Sequence, residues 1–221
     1  MKRQQSNKTT TVRKHPRQVP VSRKNPNGIT IVDRHIRRLK GTYLDFNDIK
    51  KIYKNYPQRK LIYPTPKKLK KYKNSDNYDE LIAIWVDYFN KKYNENLDPD
   101  VVKALIASES SFDENVSNKI ATGLTQITDE TLKILQDPNG EVKDFTYYKI
   151  RKKDLKDPNV AISMAVRWLI RKKAMAKWRL KREPTNEEII LEYKGLLNSK
   201  TDYKNKALEN FRENYAFLKE R

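Results

Sequence analysis

From Asp79 onward apolar residues recur at intervals of three and four, the spacing that brings side chains onto one face of an α-helix. Leu81, Ile84, Trp85, Tyr88 and Phe89 predict an aromatic-rich amphipathic helix ending near Tyr93. Asp98-Pro99-Asp100 then carries a helix-start pattern: an aspartate able to cap, a proline suited to the first helical position, and an acid that complements the positive helix end. Val102, Leu105 and Ile106 mark the buried stripe of the helix that follows. Thr128-Asp129-Glu130 opens another, and Asp157-Pro158 opens a long one through Val160, Met164, Trp168 and Leu169 to about Arg179. Thr185 and Glu188 match a capping box ahead of Ile189, Ile190 and Tyr193, and Gly195 stops that helix. A last helix is expected from about Asp202 to Lys219, with Leu208, Phe211, Tyr215 and Leu218 facing inward. No alternation of strands and helices interrupts the series, so the fold class is mainly α.

The N-terminal third reads differently. Residues 1–28 are polar, basic and proline-punctuated, which predicts a flexible arm. Gly28 to Val32 is a short β-prone run, and Asp45 to Tyr56 a weak helix with Ile49, Ile52 and Tyr53 on one side. Tyr63 to Asn74 holds two prolines and many lysines, which predicts an extended basic linker. The expected division is a basic N-terminal arm and small subdomain with linker over residues 1–75, and a helical domain over 76–221.

Charge sharpens this division. Residues 1–75 hold 22 lysines and arginines against Asp33, Asp45 and Asp48, while the remaining 146 residues hold 26 basic and 25 acidic groups. Nearly all of the net charge of +20 therefore belongs to the N-terminal third. Such a block is attracted to polyanions: nucleic acid, anionic lipid surfaces or anionic wall polymers. With no cysteine and only His15 and His35, neither a disulfide framework nor a metal site is expected, and no cofactor is implied. No segment approaches the ~20 apolar residues of a membrane-spanning helix, and the basic N-terminus has no apolar run behind it to make a signal peptide.

The chemistry is concentrated around Glu109. It follows Leu105 by four residues and Ile106 by three, so it extends the buried stripe with a carboxyl group where a hydrophobe would fit. Shielding from water is the environment in which a glutamic acid can keep a proton for donation to a leaving oxygen. Glu109-Ser110-Ser111-Phe112, then Ser117, Ala121 and Gly123-Leu124-Thr125-Gln126-Ile127, resemble the motif of the lytic transglycosylase and goose-type lysozyme superfamily. Asp157-Pro158-Asn159-Val160-Ala161 and Glu192-Tyr193-Lys194 are similar to the two further blocks of that family, in the same order.

The resemblance implies a lysozyme-like helical domain over about residues 76–221 that acts on peptidoglycan glycan strands. By the same resemblance Glu109 is the catalytic acid/base and Tyr193 directs its hydroxyl toward the reacting centre. Ser110, Ser117, Gly123, Gln126 and Ile127 are the implied substrate-binding positions, Ser110 as a hydroxyl supporting the carboxylate or a nearby sugar. The reaction implied is non-hydrolytic cleavage of the bond between N-acetylmuramic acid and N-acetylglucosamine, without metal. Asp129 or Glu130 would offer a hydrolytic variant by positioning water, although acids at a helix start usually cap it.

Departures from the family pattern stand at Ile120 in place of glycine, Thr125 in place of methionine, Lys194 in place of asparagine, and one residue missing between Phe112 and Ser117. These point to an altered groove. The basic arm is expected to contact an anionic polymer or a partner assembly, with delivery to the wall by a phage particle, lysis or a secretion apparatus. Two other readings remain open. One is a non-catalytic glycan-binding or structural component of such an assembly. The other is a nucleic-acid-binding protein acting through residues 1–75, where Tyr53, Tyr56, Tyr63 and Tyr72 interleave with the cations.

Overall fold

The computed structural model describes residues 9–38, 42–69 and 71–220. In chain order the elements are β1 (Thr9–Val12), β2 (His15–Gln18), β3 (Ile29–Val32), β4 (His35–Arg38), β5 (Thr42–Leu44), α1 (Phe46–Asn55), α2 (Asp79–Tyr93), α3 (Pro99–Ser110), β6 (Ala121–Thr122), β7 (Ile127–Thr128), α4 (Asp129–Gln136), β8 (Phe145–Tyr147), a 3-10 helix (Lys152–Lys156), α5 (Pro158–Leu180), α6 (Asn186–Tyr193) and α7 (Thr201–Lys219). The mainly α expectation holds, and the helices start where their caps predict. The Asp98 carboxylate accepts from the Asp100 amide at 3.0 Å, Asp157 from Asn159 at 3.0 Å, and Thr185 and Glu188 cap each other's backbone amides.

Helix α3 is the axis of the domain. The sequence predicts one buried stripe, but every residue from Pro99 to Ala107 is buried. The reason is that α2 and α7 pack against it from different sides, and α5 carries α2, α6 and α1 on its own faces. Only the last turn, with Ser108 and Glu109, opens toward solvent.

Segments upstream of residue 76 share this core. Strand β5 pairs in parallel with β8, placing Leu44 beside Tyr147, and Ile49 of α1 is fully buried. The Tyr63–Asn74 stretch is free of helix and strand among its described residues, as its prolines require, yet it is strapped to the domain. The Thr65 amide and hydroxyl donate to Asp100 at 2.6 and 2.8 Å, Leu69 is buried, and Tyr72 packs on Phe112. Lys103, itself fully buried, reaches Asp76 at 3.1 Å and Asp79 at 2.9 Å. A buried ammonium needs such partners, and here they fix the end of the strap.

Residues 9–38 differ from expectation. Where the sequence predicts a flexible arm with one β-prone run, β1 pairs with β4 and β2 with β3, antiparallel and in a single register from Thr9↔Arg38 to Gln18↔Ile29. The first eight residues of the expected arm lie outside the described residues. Two related segments face each other in this ribbon: Val12-Arg13-Lys14-His15-Pro16-Arg17 and Val32-Asp33-Arg34-His35-Ile36-Arg37. Val12 opposes His35 and His15 opposes Val32.

Candidate active site

The C-terminal end of α3 aims at a loop built from β6, β7 and the turn between them. Ser111 and Phe112 both adopt left-handed backbone (φ +55° and +63°), which ends the helix sharply and leaves Glu109 on its last turn. A cleft of about 600 Å³ opens there. Glu109, Tyr193 and Lys194 line one side, and Asn118 to Ala121, Gln126 and Thr128 line the other. Ile120, on the rim, is largely exposed.

Gly123 makes the loop possible. Its φ is +79°, and a Cβ added there would lie 2.1 Å from the Leu155 carbonyl oxygen. Only a residue without a side chain lets the turn approach the 3-10 helix this closely. Gly123→Ala is expected to cost on the order of 3 kcal/mol or more, from the clash together with the left-handed strain. Thermal denaturation would read this as a large fall in Tm, and an unchanged melt would show that the loop has another way to pack.

Gln126 is also left-handed (φ +47°), and its side chain does two things. It lines the cleft, and its amide nitrogen donates to the carbonyls of Gly123 at 2.8 Å and Val116 at 3.3 Å, which staples the loop. Asn118 completes the staple by accepting from the amides of Ile120 and Ala121, both at 2.8 Å, and by donating to the Gln126 carbonyl oxygen at 3.3 Å. Thr125 is fully buried and its hydroxyl donates to the Ala161 carbonyl at 3.3 Å, so this departure from the family pattern alters the floor beneath the loop and not the cleft wall.

The remaining implied positions sort by geometry. Glu109, Gln126 and Tyr193 come together in the cleft. Ser110 is buried and its hydroxyl donates back to the Ile106 carbonyl of its own helix at 3.3 Å, away from the carboxylate. The Ser117 hydroxyl pairs with that of Thr122 at 3.0 Å, and the Ile127 side chain belongs to the core. Ser110, Ser117, Gly123 and Ile127 therefore shape the cleft from behind. Asp129 pairs with Lys152 at 3.0 Å and Glu130 is exposed outside the cleft. Among the described residues no second carboxylate lines the cleft, and no cluster of three histidines or acids that could hold a metal ion occurs.

Tyr193 sits beside Glu109 but donates its hydroxyl proton to the Thr125 carbonyl at 2.8 Å. Burial, and then the negative charge of Glu109, push its phenol far above the ordinary tyrosine range, so it stays a neutral donor. Its hydroxyl thus ties α6 to the loop. Lys194, the C-cap of α6, makes the contact that sequence reasoning missed: its ammonium is ion-paired with Glu109 Oε1. Both side chains are mostly shielded, 16% exposed for Glu109 and 19% for Lys194. No local pattern encodes a pair 85 residues apart. Asn118, Lys119 and Thr128 were likewise not foreseen as lining residues; an asparagine in a short loop was the only available signal for the first.

No curated protein matches the chain. A sequence model of the Transglycosylase SLT domain matches residues 87–187, a span that takes in all of α3, the cleft loop and α5 and stops just inside α6, short of Tyr193 and Lys194. With the helical fold and the glutamate at the mouth of the cleft, that match places a transglycosylase SLT domain, of the lytic transglycosylase and lysozyme-like superfamily, at residues 87–187 of the chain.

Proposed function

We propose that this protein cleaves the β-1,4 bond between N-acetylmuramic acid and N-acetylglucosamine in peptidoglycan, with Glu109 as both acid and base. The observation that carries this reading is a single shielded carboxylate among the described residues of the cleft, at the end of α3 and within the SLT-matched stretch. Glycosidases that use water or a covalent intermediate generally set two carboxylates about the scissile bond. One carboxylate suits a route in which the substrate supplies its own nucleophile.

In that route Glu109 first gives its proton to the bridging oxygen, which departs as the hydroxyl of N-acetylglucosamine. The anomeric carbon develops positive charge, and the C6 hydroxyl of the same muramic acid closes on it. The released hydroxyl proton returns to the Glu109 carboxylate, so the enzyme ends as it began and no water is consumed. The amides of Gln126 and Asn118 offer hydrogen bonds to the sugar, although both are also engaged in holding the loop. Lys194 competes for Oε1, and its withdrawal would free that oxygen to face the glycosidic bond.

Mass spectrometry of material released from purified sacculi tests the proposal. The expected products are muropeptides with a 1,6-anhydro end, lighter by one water than hydrolytic products. Reducing ends without the anhydro bridge would overturn the non-hydrolytic route, and no release at all would overturn the enzymatic reading. The Glu109–Lys194 ion pair favours one other reading, a glycan-binding domain without turnover. Retention on sacculi with no soluble product would support it.

A further inference from the structure

Between residues 11 and 34 the ribbon leaves its side chains largely in water, and only Gly28 is buried. Its composition makes that exposure unusual. Residues 9–38 hold eight lysines and arginines against Asp33 alone, and Asp33 is paired with Lys14 at 3.6 Å. The same segment displays Val21 at 72%, Ile29 at 52% and Ile31 at 54% exposure. A two-stranded ribbon is marginal without a covered face, so these aliphatic groups are a liability unless something takes them out of water.

Their placement points to what does so. Ile29 and Ile31 are two apart on β3 and so share one face of the ribbon, opposite Gln18 and Pro16, while Arg17 and Thr30 occupy the other face. Val19 and Gly28 close the ribbon's end through a backbone bond of 2.8 Å. Beyond it, reciprocal bonds between Ser22 and Asn25 at 3.2 and 3.0 Å hold Arg23 and Lys24 at the very tip, next to Val21. Gly28 is required for this closure: its φ is +61°, and a Cβ there would meet the Val19 carbonyl at 3.0 Å. The tip thus exposes aliphatic groups close in the chain to cations whose long stems can lie along apolar surface while their charges reach outward.

We infer that the tip of this ribbon, Val19 to Ile31, docks on an anionic lipid bilayer. Nucleic acid would satisfy the cations but leave Val21, Ile29 and Ile31 uncovered, since phosphate contacts are electrostatic. A second copy of the ribbon would bring two strongly basic surfaces together. An anionic bilayer takes both features at once, with headgroup phosphates against Arg23 and Lys24 and the acyl boundary against the aliphatic groups. No helix among the described residues is long and apolar enough to cross a membrane, so this contact is peripheral.

Co-sedimentation of the full chain with vesicles tests the inference and does not depend on catalysis. The chain is expected to bind vesicles of phosphatidylglycerol and phosphatidylcholine, and to release them as salt is raised, while ignoring vesicles of phosphatidylcholine alone. The combined variant Val21→Thr, Ile29→Thr, Ile31→Thr keeps β-branched residues in the ribbon and should weaken binding by roughly tenfold or more, as should Arg23→Gln, Lys24→Gln. Equal binding to neutral vesicles would overturn the inference, as would full binding by the threonine variant. Preference for duplex DNA over anionic vesicles, undiminished in the threonine variant, would assign the ribbon to nucleic acid instead.

Discussion

Glu109→Gln is expected to lower release of soluble muropeptides from purified sacculi by roughly 10²- to 10⁴-fold, the usual contribution of a positioned proton-transfer group. Glutamine keeps the shape and one acceptor oxygen of the side chain but can neither deliver a proton to the bridging oxygen nor take one from the C6 hydroxyl. The fold should survive the change. Glu109 lies on the last turn of α3, beyond the run of buried residues that ends at Ala107, and its one ionic partner is Lys194. The variant should therefore melt within a few degrees of the parent and still sediment with sacculi, which separates lost chemistry from lost structure. Turnover close to that of the parent would remove Glu109 from the mechanism. Loss of both turnover and folding would be settled by Glu109→Asp, which keeps the charge for Lys194 but withdraws the carboxyl from the glycosidic bond.

How far the residues alone reach depends on the distance over which each feature is encoded. The helices were readable because their caps are local: Asp98, Thr128, Asp157 and Thr185 each act within three residues of the helix they open. The burial of α3 on all sides was not, because α7 and the strap that cover it come from opposite ends of the chain. The site divides the same way. Glu109 was singled out by its place on a helical stripe together with a short motif that also picked out Gly123 and Gln126, whereas the Lys194 contact depends on α6 folding back across the domain. Ser110 shows the limit of a motif, since a serine hydroxyl late in a helix has a carbonyl four residues back and uses it. The ribbon was missed for another reason: hydrophobic periodicity detects what is buried, and this element buries almost nothing. Its available signals were the repeated Val-x-(Lys/Arg)-His-x-Arg pattern and the Asn25-Pro26-Asn27-Gly28 turn.

Lys194→Asn is expected to raise turnover on sacculi by about fivefold. The ammonium holds Oε1 of the proposed proton donor, so on the proposed route each cycle would begin by opening an ion pair that the solvent reaches poorly. Such a pair is worth about 1 kcal/mol, and removing that step from the barrier corresponds to about a factor of five in rate. Asparagine retains a polar group at the C-cap of α6 and leaves the backbone bond from residue 194 to the Ile190 carbonyl intact, so α6 should keep its position and Tyr193 its bond to Thr125. Turnover and sacculus binding measured on the same preparations decide among three outcomes. A gain in turnover with unchanged binding makes Lys194 a brake on Glu109. A fall in binding makes it a substrate contact, with the ion pair as its resting place. Absence of turnover in both the parent and the asparagine variant, with binding retained in both, leaves a domain that grips glycan and does not cut it, because the one substitution that frees the carboxylate would then have restored nothing.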